Sequence, residues 1–180
     1  MGVDVKGLDD AIAMLRGKAD RLQDLAPAFK QFGAFVEKNV DDCFDQSRNW
    51  DGKPFPPLAE STIEKRIGNL KAANKRTKSG ELTKGAKALR DKLRSPGGIK
   101  PLVDTARARN SQHSVADAES IIWSAVGYLG YHFEGNEHLP ARNVSPFNLD
   151  GQGWKMHPRA RAELDRLIIQ HVMNWTGGSG

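Results

Sequence analysis

Between Lys65 and Lys100 the chain sets twelve lysines and arginines against two acids, Glu81 and Asp91. The formal charge of the whole chain is +5, so this segment at +10 leaves the remainder at −5. Large apolar side chains are scarce over 68–100, limited to Leu70, Leu82, Leu89, Leu93 and Ile99, and five glycines interrupt them. A helix can be drawn over roughly 81–95 through Leu82, Leu89 and Leu93, but its apolar stripe is thin. The segment is therefore expected as a mobile insertion or as an arm ordered by a partner. Three roles for its charge stay open. It is a solvated loop; or it neutralises nucleic-acid phosphates without sequence preference, with no Trp, Tyr or Phe to stack on bases; or it docks on an acidic neighbouring subunit. The candidate contact residues are Lys75, Arg76, Lys78, Lys84, Lys87, Arg90, Lys92 and Arg94.

Ahead of this arm, Leu8, Ile12, Leu15, Ala19 and Leu22 follow a 4-3-4-3 spacing that predicts an amphipathic helix over 5–24. Spacing of that kind suits packing along another helix, and the one expected next in sequence is the partner. Pro27 fits the first turn of that second helix, and Phe29, Phe32, Val36, Val40 and Cys43–Phe44 continue the pattern. Cys43, the one cysteine, falls on the apolar face and reads as a small buried hydrophobe. A single thiol excludes an internal disulfide and a Cys-rich metal cluster.

Residues 47–58, with three prolines and a glycine, are expected to be irregular, held down by Trp50, Phe55 and Leu58. A helix is expected from Ser61 or Thr62. Ser111–Val115 and Ser120–Tyr128 read as an antiparallel pair with a polar turn at Ala116–Glu119, and 129–157 as a long connection. A last helix starts near Pro158, with Leu164, Leu167, Ile168, His171, Val172 and Trp175 on one face. The predicted class is α+β: N-terminal helices and a C-terminal helix packed on a small antiparallel sheet. The predicted organisation is one domain, 1–180, with the basic arm 66–100 inserted.

Known chemistries find little foothold. No stretch approaches the 18 apolar residues of a membrane helix, and the N-terminus has no signal-peptide core, so a cytoplasmic site of synthesis is expected. Phosphate-loop, dinucleotide and nucleophile-elbow motifs are absent. Of the five histidines, none shows the i, i+4 spacing of a zinc helix. His132 and His138 flank a turn and define a metal-enzyme alternative. No catalytic, cofactor-binding or metal residues are assigned.

Four motifs from Phe44 onward occur in a recognisable order. Asp51-Gly52-Lys53-Pro54-Phe55-Pro56-Pro57-Leu58 is followed by Thr62-Ile63-Glu64-Lys65. Leu102-Val103-Asp104-Thr105-Ala106-Arg107-Ala108-Arg109-Asn110-Ser111 comes next, and then Tyr128-Leu129-Gly130-Tyr131-His132-Phe133-Glu134-Gly135. Pro140-Ala141-Arg142 and Pro146-Phe147 close the series. This order resembles the phage virion morphogenesis family, the Mu-like tail completion proteins. At four places the chain departs from the family pattern: Phe55 stands for Trp, Ala106 for Gly and Ala108 for Leu, and Asn143-Val144-Ser145 is inserted between Arg142 and Pro146. The resemblance implies a non-enzymatic α+β subunit of a homo-oligomeric, hexameric ring at the neck of a virion. The ring would complete or terminate the tail, with tail tube, sheath and a head connector or stopper protein as partners. Trp50, Phe55, Leu58, Thr105, Tyr128, His132, Gly135, Pro140, Pro146 and Phe147 are then structural. His132 reads as a hydrogen-bonding packing residue, and Arg142 as a contact to a neighbour's carboxylate. The alternative is a DNA-binding packaging or nucleoid-type protein that uses 65–100 on genomic DNA.

Overall fold

The computed structural model describes residues 6–95, 98–103, 106–137, 139–150 and 153–173, and for 6–11, 21, 149 and 150 the backbone only. Thr105, His138 and Trp175 lie outside the described residues. The fold is α+β, and the chain divides into two compact units. Among the described residues, no helix is long and apolar enough to cross a membrane.

The first unit takes residues up to Asn39, then Gln112–Ala125, then Pro146 onward. It contains α1 (Lys6–Gln23) and most of α2 (Ala26–Gln46). Two hairpins, β1 (His113–Ala116) with β2 (Ile121–Ser124) and β3 (Phe147–Asp150) with β4 (Gly153–Met156), precede α7 (Pro158–Met173). Asp24 Oδ1 accepts from the Ala26 amide at 3.0 Å at the start of α2, and Pro27 sits in the first turn, where its missing N–H costs nothing. Ala28, Phe29, Phe32 and Val36 line the buried face of α2.

The β1–β2 hairpin lies against that face. Glu37 Oε1 accepts from both the amide and the hydroxyl of Ser114, at 2.6 Å each. The two elements are close at Gly33, since a Cβ there would collide with the Ser114 side chain. The hairpin register pairs Val115 with Ile122 and Ser114 with Trp123. Because alternate residues face opposite ways, Val115 and Ile122 point outward together, 62% and 61% exposed.

Two expectations are corrected here. The sheet is two separate two-stranded hairpins, and the second, 147–156, falls in what reads as connection. Its Asp150-Gly151 signal stands between short apolar runs, and that pattern favours a hairpin. The α1 stripe does not pack along α2. The apolar side of α2 is occupied by the hairpins, so α1 meets α7 instead, with His171 Nε2 2.9 Å from the Asp24 carbonyl. Leu15 consequently stays 66% exposed. At the start of α7, buried His157 caps the helix, its Nδ1 accepting from the Arg159 amide at 3.2 Å.

The second unit takes Val40–Ser111 and Val126–Ser145. It holds the end of α2, α3 (Glu60–Gly68), a 3₁₀ turn at Lys71–Asn74, α4 (Lys84–Arg94) and α5 (Arg107–Asn110). A second 3₁₀ turn, Gly127–Leu129, runs into α6 (Gly130–Glu134). Its core is Val40, Cys43, Phe44, Trp50, Phe55, Ile67, Leu129 and Val144. Tyr128, expected at a strand end, is in the second 3₁₀ turn, and α3 begins one residue before the expected start.

Within this unit the basic segment is folded. Thr83 caps α4 by accepting from the Ala86 amide. Ala86 is buried, and Leu89, Arg90 and Leu93 are half-buried along one side. Asn74 Nδ2 donates to the carbonyls of Ile67, Gly68 and Leu70 and so ties down the 3₁₀ turn. The segment, expected as a mobile insertion or as an arm ordered by a partner, packs within its own unit, where Glu64 on α3 receives Arg90 at 2.8 Å and Arg94 at 2.6 Å.

Candidate functional site

The proline-rich loop is shaped by its own side chains. Asn49 Oδ1 accepts from the amides of Asp51 and Lys53, and the Phe55 amide returns to the Ser47 carbonyl at 2.8 Å. Trp50 is buried, and its indole N–H donates to the Val144 carbonyl at 2.8 Å, joining the loop to the segment that carries Arg142. Consecutive prolines interrupt regular structure, and Pro56 and Pro57 lie in no helix or strand, so their carbonyls are outside any backbone ladder. Arg142 takes them. Its Nε and Nη2 donate to Pro56 O at 3.1 Å, and Nη2 also to Pro57 O at 3.0 Å.

Arg142 is thus turned inward and only 4% exposed, rather than toward a neighbour's carboxylate. Its own amide donates to the His132 carbonyl at 2.6 Å. Gly135 makes that approach possible. It has φ +69°, and a Cβ there would stand 2.7 Å from the Leu139 carbonyl oxygen and closer still to the Ala141 amide. Only glycine fits such a backbone.

These contacts surround a cavity of about 610 Å³ to which all four motif segments contribute. Pro57, Leu58 and Thr62 come from the first, and Leu102, Arg107 and Ala108 from the second. Tyr128 and His132 come from the third, and Pro140 and Arg142 from the fourth, with Arg66 of α3 completing the cationic lining. Among the described residues, the lining holds three arginines and no carboxylate. Burial holds the Arg142 pKa below its usual value, and the charge of Arg66 adds to the effect. Burial likewise lowers the His132 pKa, assisted by the charge of Arg142, so the ring is held toward its neutral form. His132 was expected to hydrogen-bond; instead its Nδ1 is buried without a partner among the described residues. The sequence reading missed Arg66 and Arg107 as cavity residues, because nothing in their spacing distinguishes them from the surrounding basic surface.

Other motif residues lie elsewhere. Phe55 is buried beside the loop, and Pro146 and Phe147 belong to the first unit, at the start of β3. In the arm, Arg90 and Arg94 are held by Glu64, and Arg76 donates to the Gly80 carbonyl. Lys75, Lys78, Lys84, Lys87 and Lys92 are exposed and make no ion pair among the described residues. Of the eight arm residues expected to make contacts, the five lysines are thus exposed without an ion pair among the described residues. Among the described residues, no three His, Cys, Asp or Glu side chains are grouped to hold a metal ion. No family model, curated protein or solved structure matches the chain.

Proposed function

We propose that this chain is a virion assembly protein of a tailed phage: a ring subunit that completes or terminates the tail and joins it to the head connector. One observation carries the reading. The four sequence segments that resemble the tail completion family, scattered from Asp51 to Arg142, contribute to the lining of one cavity, and Arg142 of the fourth hydrogen-bonds to the first and the third. Segments matched only by chance have no reason to meet in space.

Backbone geometry adds support at two motif positions. Gly135 occupies a conformation that excludes other residues. Ala106, where the family pattern has glycine, sits at φ +58°, the left-handed region in which glycine is the ordinary residue. The exposed Val115–Ile122 pair on the β1–β2 hairpin and the open α1 stripe offer apolar surface for subunit contacts. The five accessible lysines of the arm face outward for an acidic neighbour.

The test is the solution mass by light scattering, at low and high salt, alone and with tail tubes of the cognate phage. A closed ring, or a monomer that assembles on tubes, is expected. A monomer indifferent to tubes that retards duplex DNA with steep salt dependence would replace this reading with the nucleic-acid one.

A further inference from the structure

We propose that the Arg142 cavity is a binding site for a small oxyanion, a carboxylate or phosphate borne on a small molecule with an apolar body. The lining is cationic at three points and contains no acid among the described residues. Arg107 lines it, and its guanidinium makes no hydrogen bond or ion pair in the described structure. Arg142 is more than nine-tenths buried, yet among the described residues Nη1 has no partner; Nε and Nη2 alone reach the proline carbonyls. His132 adds a buried ring nitrogen with no hydrogen-bond partner among the described residues.

A buried guanidinium without an anion is costly, and so is a buried imidazole nitrogen without a hydrogen bond. Both residues line the same space, and an oxyanion entering it would meet the guanidinium groups of Arg142 and Arg107 beside the His132 ring. Guanidinium groups suit such a ligand because their planar donors match the spacing of carboxylate and phosphate oxygens. Around these polar points the lining is apolar, with Pro57, Leu58, Leu102 and Leu139. That mixture of a few placed polar groups in an apolar wall is the ordinary make-up of a small-molecule pocket.

The inference stands on the lining alone, whether or not the subunit forms a ring. Light scattering of the same samples therefore separates its failure from failure of the assembly reading. The experiment titrates the full chain with inorganic phosphate and, separately, with benzoate, at constant ionic strength set by chloride. Calorimetry and the ring resonances of His132 are the readouts. Saturable binding of either anion is expected, with the His132 ring shifting along the binding curve. The two arms tell a phosphate site from a carboxylate site. Arg107→Gln, which breaks no contact of the fold, should weaken binding about tenfold or more. Lys84→Gln with Lys87→Gln should leave it unchanged. Arg142→Lys, checked for folding by circular dichroism, should also weaken it. No saturable binding of either anion would overturn the proposal. So would binding that falls with the lysine pair but survives Arg107→Gln.

Discussion

Two parts of the second unit carry positive charge and use it in opposite ways. The arm from Lys71 to Arg94 is dense in cations and keeps its lysines in water. The Arg142 segment has one cation, almost fully buried and held by backbone carbonyls. Charge density therefore marks where a solvated surface lies. It does not mark where a charge is structurally consequential, because that depends on whether water has been removed. A lysine in solvent contributes little whatever its neighbours, whereas a desolvated guanidinium requires each donor to be placed.

The contrast can be broken most severely at Gly135. Gly135→Ala forces a Cβ into the Leu139–Ala141 backbone at positive φ, and should cost about 3 kcal/mol or more. Thermal unfolding should show a fall of about 2–4 °C for each of those kcal/mol. Arg142→Met removes the cation and leaves the Pro56 and Pro57 carbonyls unpaired, for a loss of about 2–4 kcal/mol by urea denaturation. Lys75→Gln, Lys78→Gln, Lys84→Gln and Lys87→Gln should each stay within about 0.5 kcal/mol. If the lysine changes cost as much as Arg142→Met, the contrast is wrong.

Glu64→Gln sharpens the comparison inside the arm, since both Arg90 and Arg94 depend on that carboxylate. It should cost about 1 kcal/mol, with hydrogen exchange accelerating in α4 and unchanged at Trp50. Ala106→Gly removes a left-handed alanine and should gain about 0.5–1 kcal/mol, read as a raised Tm.

The smallest effect is that of pH. The folded His132 pKa lies below its ordinary value of 6.5, so the unfolded chain binds the proton more readily. The stability from the neutral ring is present above about pH 6.5 and is lost as pH falls through that value toward the folded pKa. The urea midpoint should drop between pH 7.5 and 5.5, and drop less in His132→Asn.

The helices were legible because their periodicity is local. The stripe of α2, the Pro27 boundary and the Pro158 start of α7 need no distant residue to be recognised. The β1–β2 hairpin was legible for the same reason, through its alternation and polar turn. Hairpin β3–β4 was not, since its four-residue strands sit among glycines that equally suit a connection. In the arm, the thin stripe of α4 was visible while its counter-charge was not. Glu64 lies 26 residues before Arg90, and only folding makes them neighbours.

By itself, the sequence determined the α+β class, the burial of Cys43, Trp50 and Phe55, and the segregation of charge into one segment, because composition and short-range spacing carry them. Tertiary structure alone decided that Arg142 faces inward, that Arg66 and Arg107 join it, and that the four motifs enclose one cavity. Desolvation and hydrogen-bond partnership belong to residues remote along the chain, and a side chain's role depends on the neighbours that folding supplies.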